Sequence, residues 1–153
     1  MFRLPHLLLS AALLSLCACS AQETPRPATP VAPQASHADL GALRVHYNLL
    51  PTLSMNPTVA SSYGVQRQAD RALLVVALRQ LADGQELPAT GSVQATVTDL
   101  SGKRQQVTLR EVRTGEYTDL IGVVDAHPHD QLQVELQVST AAGPQSVRFQ
   151  QNF

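Results

Sequence analysis

Gln131-Leu132-Gln133-Val134-Glu135-Leu136-Gln137-Val138 decides the fold class. Four aliphatic side chains alternate with polar ones, and a period of two marks a β-strand with one face on a core and the other in water. The signal recurs upstream in shorter pieces. Leu43, Val45 and Tyr47 alternate with Arg44, His46 and Asn48, and Val93, Ala95 and Val97 alternate within Ser92 to Thr98. Val107 and Leu109 mark a further strand after a turn at Ser101-Gly102. Thr114-Gly115 turns the chain into a strand from Tyr117 to Val124, and Gly143-Pro144 turns it into Val147 and Phe149. Ala72 to Leu78 is apolar without alternation, which reads as a strand covered on both faces. About seven short strands with turn signals between them predict an all-β, immunoglobulin-like antiparallel β-sandwich. A small barrel is the alternative.

One segment departs from this pattern. Asn56-Pro57-Thr58-Val59-Ala60-Ser61-Ser62-Tyr63-Gly64 offers a capping Asn, a proline at the first helical position and a glycine past the end. That asymmetry predicts one short helix near residues 57–63. Val59, Ala60 and Tyr63 share a face suited to plugging one end of the sandwich.

The amino-terminal end carries a different message. Arg3 precedes an apolar run from Leu7 to Leu16, too short for a permanent spanning helix and laid out as a secretory signal. Leu16-Cys17-Ala18-Cys19 resembles the lipobox of bacterial lipoproteins, in which the cysteine is diacylated. Cys19, preceded by small Ala18, fits better than Cys17, preceded by bulky Leu16; plain cleavage after Ala21 is the alternative. Acyl chains at about 0.8 kcal/mol per buried CH₂ would anchor Cys19 stably in a bilayer. Ser20, where aspartate would signal retention at the inner membrane, points to the outer membrane. The expected organisation is a signal over residues 1–18, a lipidated, Pro-rich disordered linker over 19–41, and a β domain over 42–153. The linker (Thr24-Pro25-Arg26-Pro27-Ala28-Thr29-Pro30) would act as a spacer reaching on the order of 60 Å. Cys17 leaves with the signal, so thiol chemistry and cysteine-ligated metals are not expected of the domain.

Composition narrows the function classes. The 153 residues carry a formal charge of −1, with no basic block for nucleic acid, no tryptophan and few aromatics for a stacking platform. No nucleophile elbow, zinc-protease helix, phosphate loop or dinucleotide fingerprint is present, so no enzyme and no cofactor are expected. Asp125-Ala126-His127-Pro128-His129-Asp130 is the one local cluster of ligand-type residues. Imidazoles and carboxylates suit Zn or Cu(II), but four ligands are wanted for a structural zinc site, and His37 and His46 are candidates to complete the set. A solvated hairpin loop is the plainer account. Arg67 and Arg71 flank a loop entering the buried strand; with Tyr63 they could form a recognition patch, or they could serve packing and local pairing.

His46-Tyr47-Asn48, Leu50-Pro51-Thr52, Asn56-Pro57-Thr58-Val59-Ala60, Tyr63-Gly64-Val65-Gln66-Arg67 and Arg71-Ala72 together resemble a bacterial family of small exported proteins, domain-of-unknown-function family 4426. The resemblance covers most of residues 42–153 and is most specific at Tyr63-Gly64-Val65-x-Arg67. It implies an exported β domain and brings no catalytic residues. The lipobox and long linker depart from it. The expectation for function is a non-enzymatic binding or assembly module of the periplasm, tethered to the bilayer through Cys19 and acting on an envelope protein by an exposed edge strand. The alternative is a periplasmic metal-binding protein using His127 and His129.

Overall fold

The computed structural model describes residues 35–153; the signal, Cys19 and most of the linker lie outside the described residues. Among the described residues ten strands and one α-helix follow one another: β1 (His37–Leu40), β2 (Leu43–Pro51), α1 (Pro57–Ser62), β3 (Arg71–Ala82), β4 (Gln85–Pro88), β5 (Ser92–Thr98), β6 (Arg104–Val107), β7 (Arg110–Thr114), β8 (Tyr117–Asp125), β9 (Gln131–Thr140) and β10 (Gly143–Asn152). A 3₁₀ turn, Thr52–Ser54, joins β2 to α1. All pairings are antiparallel. Sheet A has the order β1-β2-β3-β8-β7, with β4 also on β3; sheet B has the order β10-β9-β5-β6. The molecule is the all-β sandwich that the alternation implies.

The core lies where the alternating faces meet. Val45, Tyr47 and Leu49 of β2 and Ala72, Leu74, Val76 and Leu78 of β3 face Ala95, Val97, Leu132, Val134, Leu136 and Val138 of sheet B. The Tyr47 ring stacks on Phe149 of β10 at 4.2 Å between centroids, joining the sheets through an aromatic pair. On the β6 side, the Gln105 amide stands in for a strand. Its Nε2 donates to the Asp125 carbonyl (3.1 Å), and its Oε1 accepts from the Asp125 N–H (2.8 Å).

Three differences from the sequence reading have physical causes. The chain is already in a strand at His37, within the stretch assigned to the linker, because Gly41 (φ 66°) closes a two-residue hairpin that lays β1 along β2. Val107 and Leu109 do not share a strand. Val107 ends β6 in sheet B, and the chain crosses at Thr108-Leu109 to begin β7 in sheet A. Gly122 makes room for that crossing, since a Cβ there would lie 2.5 Å from Val107 Cγ1 and 3.0 Å from the Thr108 carbonyl oxygen. Finally, β4 is a strand too short for the alternation to predict, although Asp83-Gly84, both at positive φ, is the signature of a two-residue hairpin loop.

The helix forms as its signals direct but does not plug the end of the sandwich. Asn56 Oδ1 accepts from the Thr58 N–H at 2.9 Å, and Pro57 occupies the first turn. At the other end, the Val65 N–H donates to the Ala60 carbonyl (2.8 Å) and the Gly64 N–H to the Ser61 carbonyl (3.0 Å). That is a Schellman cap, with Gly64 at φ 61°. Six residues are too few to hold a helix alone. This one is held by a second apolar cluster, in which Met55, Ala60 and Val65 pack on Leu73 of β3 and Ile121 of β8. Leu73 and Ile121 point away from the main core, so α1 covers the outer face of sheet A. That explains why β3 lacks alternation.

Candidate functional site

The residues singled out around α1 are used largely within the fold. Arg67 Nη2 donates to the Leu53 carbonyl at 2.6 Å, fastening the loop after α1 to the 3₁₀ turn. Arg71 pairs with Asp125, its register partner on β8. Tyr63 is the C-cap residue of α1; it is half-buried and packed against the second cluster, and its carbonyl accepts from Arg110 of β7. Beneath them Thr52, fully buried, exchanges two hydrogen bonds with Gln68: its hydroxyl donates to the carbonyl (2.8 Å) and accepts from the N–H (2.9 Å). The structure thus brings Tyr63, Arg67 and Arg71 to one end of sheet A and engages both guanidinium groups locally.

His127 and His129 sit in the tight turn between β8 and β9. Asp130 Oδ2 accepts from the His127 N–H (2.7 Å) and lies 3.3 Å from its Nδ1. His129 takes φ 70°, and its N–H donates to the carbonyl of Phe153 (2.8 Å), tying the turn to the last residue of the chain. His37 and His46 do not complete this set. His46 is level with Ala77 on β3, whereas β8 leaves the sheet opposite Arg71. Those levels are about 20 Å apart at about 3.3 Å per residue.

His37 and His46 instead meet each other. They are register partners on β1 and β2, with ring centroids 5.7 Å apart. Both stand on the outer face of sheet A, in the half that α1 leaves bare. Glu86 reaches His46 from β4: its Oε2 is 2.7 Å from His46 Nε2, and its Oε1 accepts from Arg44 Nη1 at 2.9 Å. Arg44 grips Asp39 with the rest of its guanidinium, at 2.6 and 2.8 Å. The His46 and Arg44 hydrogen bonds hold the Glu86 carboxyl below its usual range, and Arg44 does the same for Asp39. Arg79 continues the array, pairing with Asp119 (2.8 Å) and lying 4.7 Å over the Tyr117 ring. Among the described residues, no group of three or more His, Cys, Asp or Glu side chains is placed to hold a metal ion.

Two further features are open to solvent. A cavity of about 530 Å³ lies at the sandwich end opposite the 127–130 turn, lined by residues such as Leu40, Leu43, Gln80, Thr140 and Gln145, with no titratable side chain among them. Along the side of sheet B, β10 is an edge strand whose ten residues all pair with β9. The other edge strands are far shorter: four residues in β1, β4 and β6, and five in β7.

The sequence model of a domain of unknown function, DUF4426, matches residues 37–153, from the first residue of β1 to the end of the chain. The protein belongs to the DUF4426 family. A crystal structure of a DUF4426 family protein from Pseudomonas aeruginosa PAO1 is similar, at 22% identity and TM-score 0.64, covering 76% of this chain and 92% of that one. A copper-bound variant of FetP from uropathogenic Escherichia coli is similar at 8% identity and TM-score 0.54, covering 76% and 88%. A copper-bound variant of Campylobacter jejuni P19 is similar at 9% identity and TM-score 0.50, covering 78% and 95%. At these identities the likeness is one of fold. No curated protein matches the sequence.

Proposed function

We propose that this DUF4426 protein is a non-enzymatic binding or assembly module on the periplasmic side of the bacterial envelope, tethered to the outer membrane through acylated Cys19. The observation that carries the binding reading is β10. A ten-residue edge strand, in unbroken register on one side and without a neighbouring strand on the other among the described residues, is a template for an added strand. Pro144 lacks an N–H on this strand, and Arg148 is turned to Glu135 at 3.0 Å. An extended segment of an envelope protein is the partner that fits this edge.

Photo-crosslinking in intact cells tests the proposal. A crosslinker at exposed Ser146 of β10 should capture a discrete envelope protein, and one at exposed Lys103, in the turn before β6, should not. Equal capture from both positions, or none from Ser146, overturns the edge reading. Palmitate labelling that persists in Cys19→Ala overturns the tether.

A second reading is transition-metal binding in the same compartment. It is favoured by the fold shared with the copper-bound FetP and P19 variants and by the imidazole pair on sheet A. Metal analysis of the purified chain after equilibration with copper(II) and dialysis decides it: stoichiometric metal supports the reading, and bare protein removes it.

A further inference from the structure

We propose that His37 and His46 form a two-imidazole site for a transition-metal dication, copper(II) above all, with Glu86 as its positioning residue. The inference rests on the metal-binding reading and gives it an address other than His127 and His129. The first argument is placement. The β1–β2 hairpin sets the two histidines directly opposite each other on an exposed face. Directly opposed residues of an antiparallel pair have their Cβ atoms about 5 Å apart.

The second argument is spacing. With metal–nitrogen bonds of about 2.0–2.1 Å, two imidazoles on one ion have centroids about 4.5–6 Å apart. The observed 5.7 Å lies within that interval.

The third argument is the tautomer. When neutral His46 donates from Nε2 to Glu86, its lone pair is on Nδ1, ready for a metal. A carboxylate behind a ligating histidine is the usual device for fixing ring orientation and raising basicity. Glu86 is itself held, because Arg44 binds its other oxygen, and Asp39 in turn binds Arg44. One guanidinium between two carboxylates leaves the array net negative, which favours a cation.

Two imidazoles leave the remaining coordination positions to water or to a donor from another molecule. A site of this kind exchanges its metal readily. Among divalent ions, nitrogen donors of no fixed geometry bind copper(II) most tightly. The 127–130 turn lacks this design, since Asp130 is engaged by the backbone N–H of His127 and His129 is committed to a strained turn position.

The test uses the full chain in a Cys17→Ser/Cys19→Ser background, titrated with copper(II) alone and followed by electron paramagnetic resonance and calorimetry. One copper per chain with nitrogen hyperfine structure is expected. His37→Ala and His46→Ala should each weaken binding at least tenfold, and Glu86→Gln should weaken it by about 10–100-fold. The His127→Ala/His129→Ala double variant should bind as the parent does, and circular dichroism should show every variant folded. Copper retained at full affinity in His37→Ala/His46→Ala overturns this site while leaving metal binding intact. A parent chain that binds no copper overturns both.

Discussion

The outer face of sheet A is divided into two halves, and their contrast shows how one strand set can be both scaffold and surface. Toward the Pro51–Arg71 end, outward residues are Leu50, Leu73, Val75 and Ile121, and the 52–68 segment folds back to cover them. Toward the Leu43–Gln80 end the same strands present Arg44, His46, Arg79 and Asp119, joined by His37, Asp39 and Glu86 from the flanking hairpins. The strands and their register are shared. What differs is whether the outward side chain gains from leaving water. Apolar positions recruit a six-residue helix that could not stand alone, whereas charged positions recruit short hairpins that bring countercharges.

The largest test of this division is Leu73→Ala. Leu73 is almost fully buried under α1, and its truncation should cost about 2–5 kcal/mol in urea unfolding. His46→Ala, one strand over on the bare half, should stay within about 0.5 kcal/mol. Similar losses at the two sites would mean that the bare half is itself covered by something in solution, such as a second molecule.

Thr52→Val sharpens the comparison by keeping the shape of a buried side chain and removing its polarity. The Gln68 N–H and carbonyl would both lose their partner, at about 1–3 kcal/mol. The loss should fall on the cover, so hydrogen exchange in the 52–68 segment should quicken more than exchange in β5 or β9. Uniform quickening would show that cover and sandwich unfold as one unit.

The covered half was legible because its information is local. The unbroken apolar run of β3 announced two buried faces, and Asn56, Pro57 and Gly64 announced the helix. Where the helix docks was not legible, since Ile121 on β8 forms half of its seat and lies far along the chain. The bare half failed differently. His37 fell in a stretch read as linker because four residues are too short for periodicity to register, and Glu86 arrives on a strand announced only by Asp83-Gly84. The His127-x-His129 spacing drew attention because it is visible in sequence. The pair that faces across a hairpin, at positions 37 and 46, is visible only once the register is known.

Gly64→Ala carries the comparison to the cap. At φ 61° an L-residue is strained by about 1–2 kcal/mol, although the space around the new Cβ is nearly open. Far-ultraviolet and thermal melts should show a folded protein with a lower midpoint. A loss as large as that of Leu73→Ala would mean that the cap, rather than the apolar seat, holds the cover down.

The smallest effect expected is that of acid, and within sheet A it should fall on the bare half. Asp39 and Glu86 have folded pKa values held below those of free carboxyls, so the unfolded chain takes up protons first as pH falls. Their contribution is complete above the ordinary carboxylate range and declines as pH drops through that range toward the folded values. Both groups face solvent, which keeps the effect on global stability slight. Its signature is local: amides of β1 and β4 should exchange faster in mild acid, after correction for the intrinsic rate, because protonated Glu86 no longer holds Arg44 and His46 to β4. The apolar seat of α1 contains no carboxylate, so amides of the helix should not follow. If α1 loosens together with β4, the two halves of the face are coupled through β3, and the division between scaffold and surface fails at the strand they share.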